Sequence, residues 1–147
     1  MFKSRLVRIV ASGALAGATV LAFTGPASAT VTGIKCKALT GNIANSVVIK
    51  RCVVGNTGGR SKAMPAANLA SGGTIKWVNG KTTTVKLTVT QGSAANCAVG
   101  DTEYDAVGKV TADTTGSVKI GGKVSAHVCV SPTGALSLVP GTAAKLA

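Results

Sequence analysis

From residue 30 onward the chain alternates apolar and polar side chains with a period of two. No stretch sustains the 3.6-residue repeat of an amphipathic helix. Thr, Val and Gly dominate, a composition suited to pleated strands and tight turns. The alternation predicts strands over residues 33–37, 42–44, 47–53, 73–78, 83–90, 107–112, 117–120, 123–130 and 135–138. Their spacing of about ten residues, with Gly-rich turns between them, predicts an all-β fold, a small antiparallel sandwich or barrel. Residues 64–70 have room for one short helical turn but read better as loop.

Facing rules follow from the same pattern. Val110, Ala112, Val118, Ile120, Val124, Ala126, Val128 and Val130 are all even-numbered, whereas Lys109, Ser117, Lys119, Lys123, Ser125 and His127 are odd. Even positions should therefore be buried and odd ones wet. Asp113-Thr114-Thr115-Gly116 reads as a turn, and Gly121-Gly122 as a turn or bulge. Cys129 falls on the polar face, so its bridge should tie residues 98–105 across the outside of the sheet. Around Asn79-Gly80 the register decides the fate of Trp77. A two-residue hairpin loop would place Trp77 away from Val85, Leu87 and Val89, exposed beside Lys81 as a candidate sugar-stacking contact. A three-residue loop with Gly80 left-handed restores one apolar side and buries Trp77. Because a slip of one residue flips every side chain, the bulged loop is the expectation.

The first 29 residues follow a different pattern. Lys3, Arg5 and Arg8 precede about 15 apolar or small residues, too few for the roughly 20 of a membrane span, and Gly25-Pro26 ends the run. Ala27-Ser28-Ala29 has the small-x-small form of a signal cleavage site. Residues 1–29 are therefore expected to be a signal peptide, and residues 30–147 one secreted domain of 147 − 29 = 118 residues. No Cys stands directly after the cleavage site to carry a lipid, the first being Cys36, and no later segment is apolar for long enough to span a membrane. Extracellular or wall-associated residence is the expectation. In an oxidising compartment the four cysteines of the domain read as two disulfides. Of the three pairings, Cys36 with Cys52 and Cys97 with Cys129 keeps both loops within one half of the chain. A zinc site made by these cysteines is disfavoured, because no two are spaced as C-x-x-C.

Composition narrows the function classes. The expected domain holds 13 Lys plus Arg against 4 Asp plus Glu, a net charge of 13 − 4 = +9. An anionic cell-wall polymer or lipid surface is the expected partner, bound electrostatically. With only Trp77 and Tyr104 available for base stacking, specific nucleic-acid recognition is not expected. Asp101, Glu103 and Asp105 form the one acidic cluster, a candidate calcium site or acid/base pair that reads better as a solvated acidic edge. His127, the single His, lies on a solvent face without a nucleophile elbow, which disfavours a Ser-His-Asp triad. Gly80-Lys81-Thr82 lacks the upstream Gly of a phosphate-binding loop, since position 75 is Ile75. No catalytic residue, metal ligand or cofactor is assigned.

Ile34-Lys35-Cys36-Lys37-Ala38-Leu39-Thr40-Gly41, Ile49-Lys50-Arg51-Cys52, Asn56-Thr57-Gly58-Gly59, Trp77-Val78-Asn79-Gly80-Lys81-Thr82-Thr83, Val128-Cys129-Val130 and Pro140-Gly141-Thr142 together resemble a group of small exported, β-rich actinobacterial proteins without assigned activity. The resemblance covers most of the domain and implies a secreted β protein, with no functional residue to carry over. The expected function is a non-catalytic, basic, surface-associated or wall-associated module. Two alternatives stand beside it. A protease inhibitor or small-molecule carrier needs a protruding loop or an apolar cleft of a few hundred Å³. A small hydrolase would use Asp101, Glu103 and Asp105.

Overall fold

The computed structural model describes residues 30–147. The expected signal peptide lies outside the described residues. In chain order the elements are β1 (Ile34–Asn42), β2 (Ser46–Val54), β3 (Met64–Pro65), α1 (Ala67–Ala70), β4 (Gly72–Lys76), β5 (Thr82–Gln91), β6 (Thr102–Asp113), β7 (Lys123–Val130), β8 (Ala135–Leu138) and β9 (Ala144–Leu146). All pairings are antiparallel, in the order β3-β2-β1-β8-β7-β6-β5-β4, with β9 also pairing β1 and β7.

The two ends of this order are joined by the chain that leads into β3. On one side of that segment Ser61 N donates to Ile49 O at 2.8 Å, and Cys52 N donates to Gly59 O at 2.9 Å. On the other side Lys62 N donates to Lys76 O at 2.7 Å, and Val78 N to Arg60 O at 3.2 Å. Bridges Lys50↔Arg60 and Ser61↔Trp77 mark the same closure. β8 and β9 share one position between β1 and β7, meeting opposite halves of both strands. With β8 and β9 counted as one stave, and β3 taken together with its lead-in, the nine strands make 9 − 1 = 8 staves. Each neighbours the next in sequence, an up-and-down barrel. Closure removes the open sheet edges that would otherwise invite aggregation.

Interior positions are apolar and exterior ones carry Lys and Thr. Ile49, Ile75, Val85, Val110, Val124, Val128 and Leu136 belong to one buried cluster, while Lys35, Lys76, Lys86 and Lys109 are solvent-facing. A lipid-embedded barrel has the reverse arrangement, with an apolar outer band. Among the described residues no helix is long and apolar enough to cross a membrane.

Trp77 lies at one end of the barrel and is fully buried. Ile75 pairs with Thr83, Trp77 N donates to Lys81 O at 2.9 Å, and Gly80 has φ +83°. This is the three-residue loop that the apolar pattern requires. The indole N–H donates to the buried Thr83 hydroxyl, which donates to Asp113 Oδ1 at 2.7 Å.

The even-position rule holds on β6 only as far as Val110. There a bulge leaves Thr111 unpaired, because Val85 pairs with Val110 while Thr84 pairs with Ala112. Beyond it Asp113 pairs with the buried Thr83, and Ala112 is exposed. Residues 117–120 are correspondingly not a strand. Thr115 Oγ1 and Gly116 N both donate to the Asp113 carboxylate, which winds the chain into a turn. Val118 is buried there, but Ile120 is 66% exposed. The expected strand at 42–44 is also absent, since β1 runs to Asn42 and residues 43–45 turn into β2. At 67–70 the loop reading gives way to the one-turn helix α1.

Candidate functional site

Three interior side chains align across neighbouring strands. Val89 on β5 pairs with Ala106 on β6, which pairs with Ala126 on β7. Two of the three are Ala, and beside them the β8/β9 stave is interrupted between Leu138 and Ala144. Small side chains at mid-barrel leave the interior underfilled. The result is a cavity of about 260 Å³. Leu39, Ile49, Leu87, Val128 and Leu138 form its walls. Tyr104, Asn68 and Ser125 are the polar residues among its lining, and no charged side chain lines it. It reaches the barrel end where Ile43, 55% exposed, and Ala70 of α1 meet solvent. The opposite end is stoppered by Trp77, Ile34 and Val110, each at most 1% exposed.

On the outer wall of the same strands, β6 and β7 bring three polar groups together. Asp105 pairs with His127 and Glu103 pairs with Cys129. His127 Nδ1 lies 2.5 Å from Asp105 Oδ1, the imidazole donating. One ligand atom from each of Glu103, Asp105 and His127 falls within 4.8 Å of the others. Glu103 is 6% exposed, and its Oε2 has no hydrogen-bond partner among the described residues.

The cover over Glu103 comes from residues 92–101, held down by a disulfide. Cys97 is bonded to Cys129, as Cys36 is to Cys52, both as the short-loop pairing expects. Cys129 lies on the outer face but is buried beneath this segment, whereas the expected crossing at 98–105 is shortened because β6 already begins at Thr102. Asp101 stays out of the group, in the loop ahead of β6. His127 takes its place. The alternation placed His127 on the outer face of its strand, whereas Glu103 and Asp105 read as an acidic edge ahead of the strand expected from residue 107; the extension of β6 back to Thr102 and its pairing with β7 bring the three together.

Trp77 and Lys81 do not form a ligand platform. The ring has no exposed surface for a sugar to stack on, and Lys81 points into solvent beyond the turn. Met64, in the segment that reads as loop, is 5% exposed and paired with Val47, so it does not protrude as an inhibitor loop would. No protein-family model, no curated protein and no solved structure matches this chain. The functional reading therefore rests on the geometry of the barrel.

Proposed function

We propose that the protein is a non-catalytic carrier that holds one small, neutral, largely hydrocarbon ligand inside the barrel. The supporting observation is the 260 Å³ cavity with its aliphatic walls. Eight-stave barrels are wide enough for one small ligand. Since an apolar void of about 150 Å³ accommodates benzene, this one scales to about ten carbons. A carboxylate or ammonium would be buried there without a counter-charge, so charged amphiphiles are disfavoured. Binding rather than catalysis is favoured because no carboxylate, imidazole, amine or thiol lines the walls.

Methyl NMR during titration with naphthalene tests this reading. The expected result is saturable shifts at the methyls of Leu87, Val89 and Val128, with Val53 and Val99 on the outside unmoved. Shifts absent up to the solubility limit, or spread evenly over inner and outer methyls, would refute it.

A second reading, attachment to an anionic polymer or lipid surface, draws support from one specific arrangement. Lys86 pairs with Lys109, and Lys109 pairs with Lys123, so three lysines stand in one row across the outside of β5, β6 and β7. Lys35 likewise faces Lys145. Like charges set directly opposite each other destabilise a sheet. An anionic partner would relieve that repulsion, and retention near such a surface is compatible with carriage of an apolar molecule.

A further inference from the structure

We propose that Glu103, Asp105 and His127 form a binding site for one divalent transition-metal ion of the zinc class on the outer wall of the barrel. Two independent observations meet there. The first is the donor set itself: two carboxylates and an imidazole with ligand atoms within 4.8 Å of one another. Atoms bound to one ion at about 2.1 Å stand some 3 to 4 Å apart, so small side-chain rotations close the set. The second is Glu103, which is 6% exposed with Oε2 lacking a hydrogen-bond partner among the described residues. An anionic oxygen buried without a donor is costly, and a cation is the partner it lacks.

The surroundings match a site that is walled yet open on one side. Gly92 passes directly over the two carboxylates: a Cβ there would stand 3.2 Å from Glu103 Cγ and 3.3 Å from Asp105 Oδ2. The Cys97–Cys129 disulfide anchors the segment that follows. His127 is exposed, which leaves a face for water or an outer ligand. A nitrogen donor beside two carboxylates favours zinc-class ions over calcium and magnesium, which prefer oxygen alone. The imidazole already donates to Asp105. Coordination uses either Nε2, with that bond kept as a support, or Nδ1, with the bond replaced by the ion.

Titration calorimetry with Zn²⁺ on the oxidised protein, alongside NMR of the single imidazole, provides the test. One equivalent should bind saturably and shift the His127 ring resonances. Glu103→Gln and His127→Ala should each weaken binding at least tenfold, whereas Asp101→Asn, outside the group, should leave it unchanged. His127 is exposed, so its replacement probes the site even if Glu103→Gln perturbs folding. The proposal is overturned by the absence of a saturable single equivalent, by unmoved His127 resonances, or by equal weakening in Asp101→Asn.

Discussion

The indole nitrogen of Trp77 donates a 2.9 Å hydrogen bond to the hydroxyl of Thr83, and both residues are completely buried. Thr83 is the hinge of a polar chain within an apolar stopper. It accepts from the ring, donates to Asp113, and Asp113 in turn accepts from Thr115 and Gly116. The closed end of the barrel thus depends on a threonine whose two roles are both used.

Thr83→Val keeps the side-chain shape and removes both roles. The Trp77 N–H then has no acceptor, and Asp113 loses a donor, so the variant should lose about 1–3 kcal/mol of stability. Urea denaturation with disulfides intact measures this. An unchanged midpoint would show that the chain of hydrogen bonds contributes nothing net.

Two glycines should respond differently to alanine. Gly80 has φ +83° with open space around it, so Gly80→Ala should cost about 1 kcal/mol from the left-handed conformation alone. Gly108 pairs with Leu87 across the sheet, and a Cβ there would stand 1.9 Å from Lys86 O. Gly108→Ala must push β5 away from β6 and should destabilise far more. Equal effects in thermal denaturation would contradict the close strand approach.

Much of this architecture is legible in the sequence. Alternation reveals most of the strands, and the apolar register around Trp77 distinguishes the bulged loop from the tight one, because only one choice reunites Ile75 and Trp77 with Val85. Closure is harder to see. Residues 59–62 carry no apolar alternation, yet their backbone bonds to β2 and to the β4 hairpin at once, and backbone bonding leaves little trace in side-chain pattern. The bulge at Thr111 leaves Ala112 exposed, and residues 117–120 leave the sheet altogether, so a rule that holds for β7 at Val124 and Val128 fails at Ile120. β9 is three residues long, below the length at which alternation is a signal. The cavity belongs to no segment: it arises where Val89, Ala106 and Ala126 meet across three strands. His127 joins the carboxylates in the same way, through strand pairing and not sequence proximity.

The disulfides close loops of different length, with sequence separations of 16 and 32. Loop-closure entropy then assigns about 3 kcal/mol to Cys36–Cys52 and nearly 4 to Cys97–Cys129, roughly. Paired Cys→Ala replacements should lower stability in that order of size. Hydrogen exchange should rise at residues 92–101 only when Cys97–Cys129 is removed. Faster exchange there in the Cys36/Cys52 pair would show that the segment is held by other means.

Attachment through the lysine row should be electrostatic. Binding to vesicles containing anionic lipid should fall as ionic strength passes about 0.15 M, where the screening length is about 8 Å. Replacing Lys86, Lys109 and Lys123 together by Gln should reduce it more than replacing Lys62, Lys76 and Lys81, which takes away the same charge. Binding that persists at about 1 M salt, or that depends on charge number alone, would remove the row from consideration.

Filling the barrel separates the carrier reading from a merely loose core. Ala106 lies in the centre of the small-residue row, opposite Val89 on one side and Ala126 on the other. In a well-packed interior Ala106→Phe would overpack and cost about 1–3 kcal/mol. Here the ring has a void to enter, and burying it adds apolar area, so thermal stability should be unchanged or raised. The same ring occupies the space proposed for the ligand, so naphthalene affinity should fall at least tenfold. Both shifts must occur together. Lost affinity with a large loss of stability would mean that the void is too small to hold a ring. Retained affinity in a stable variant would place the probe elsewhere and end the case for an interior site.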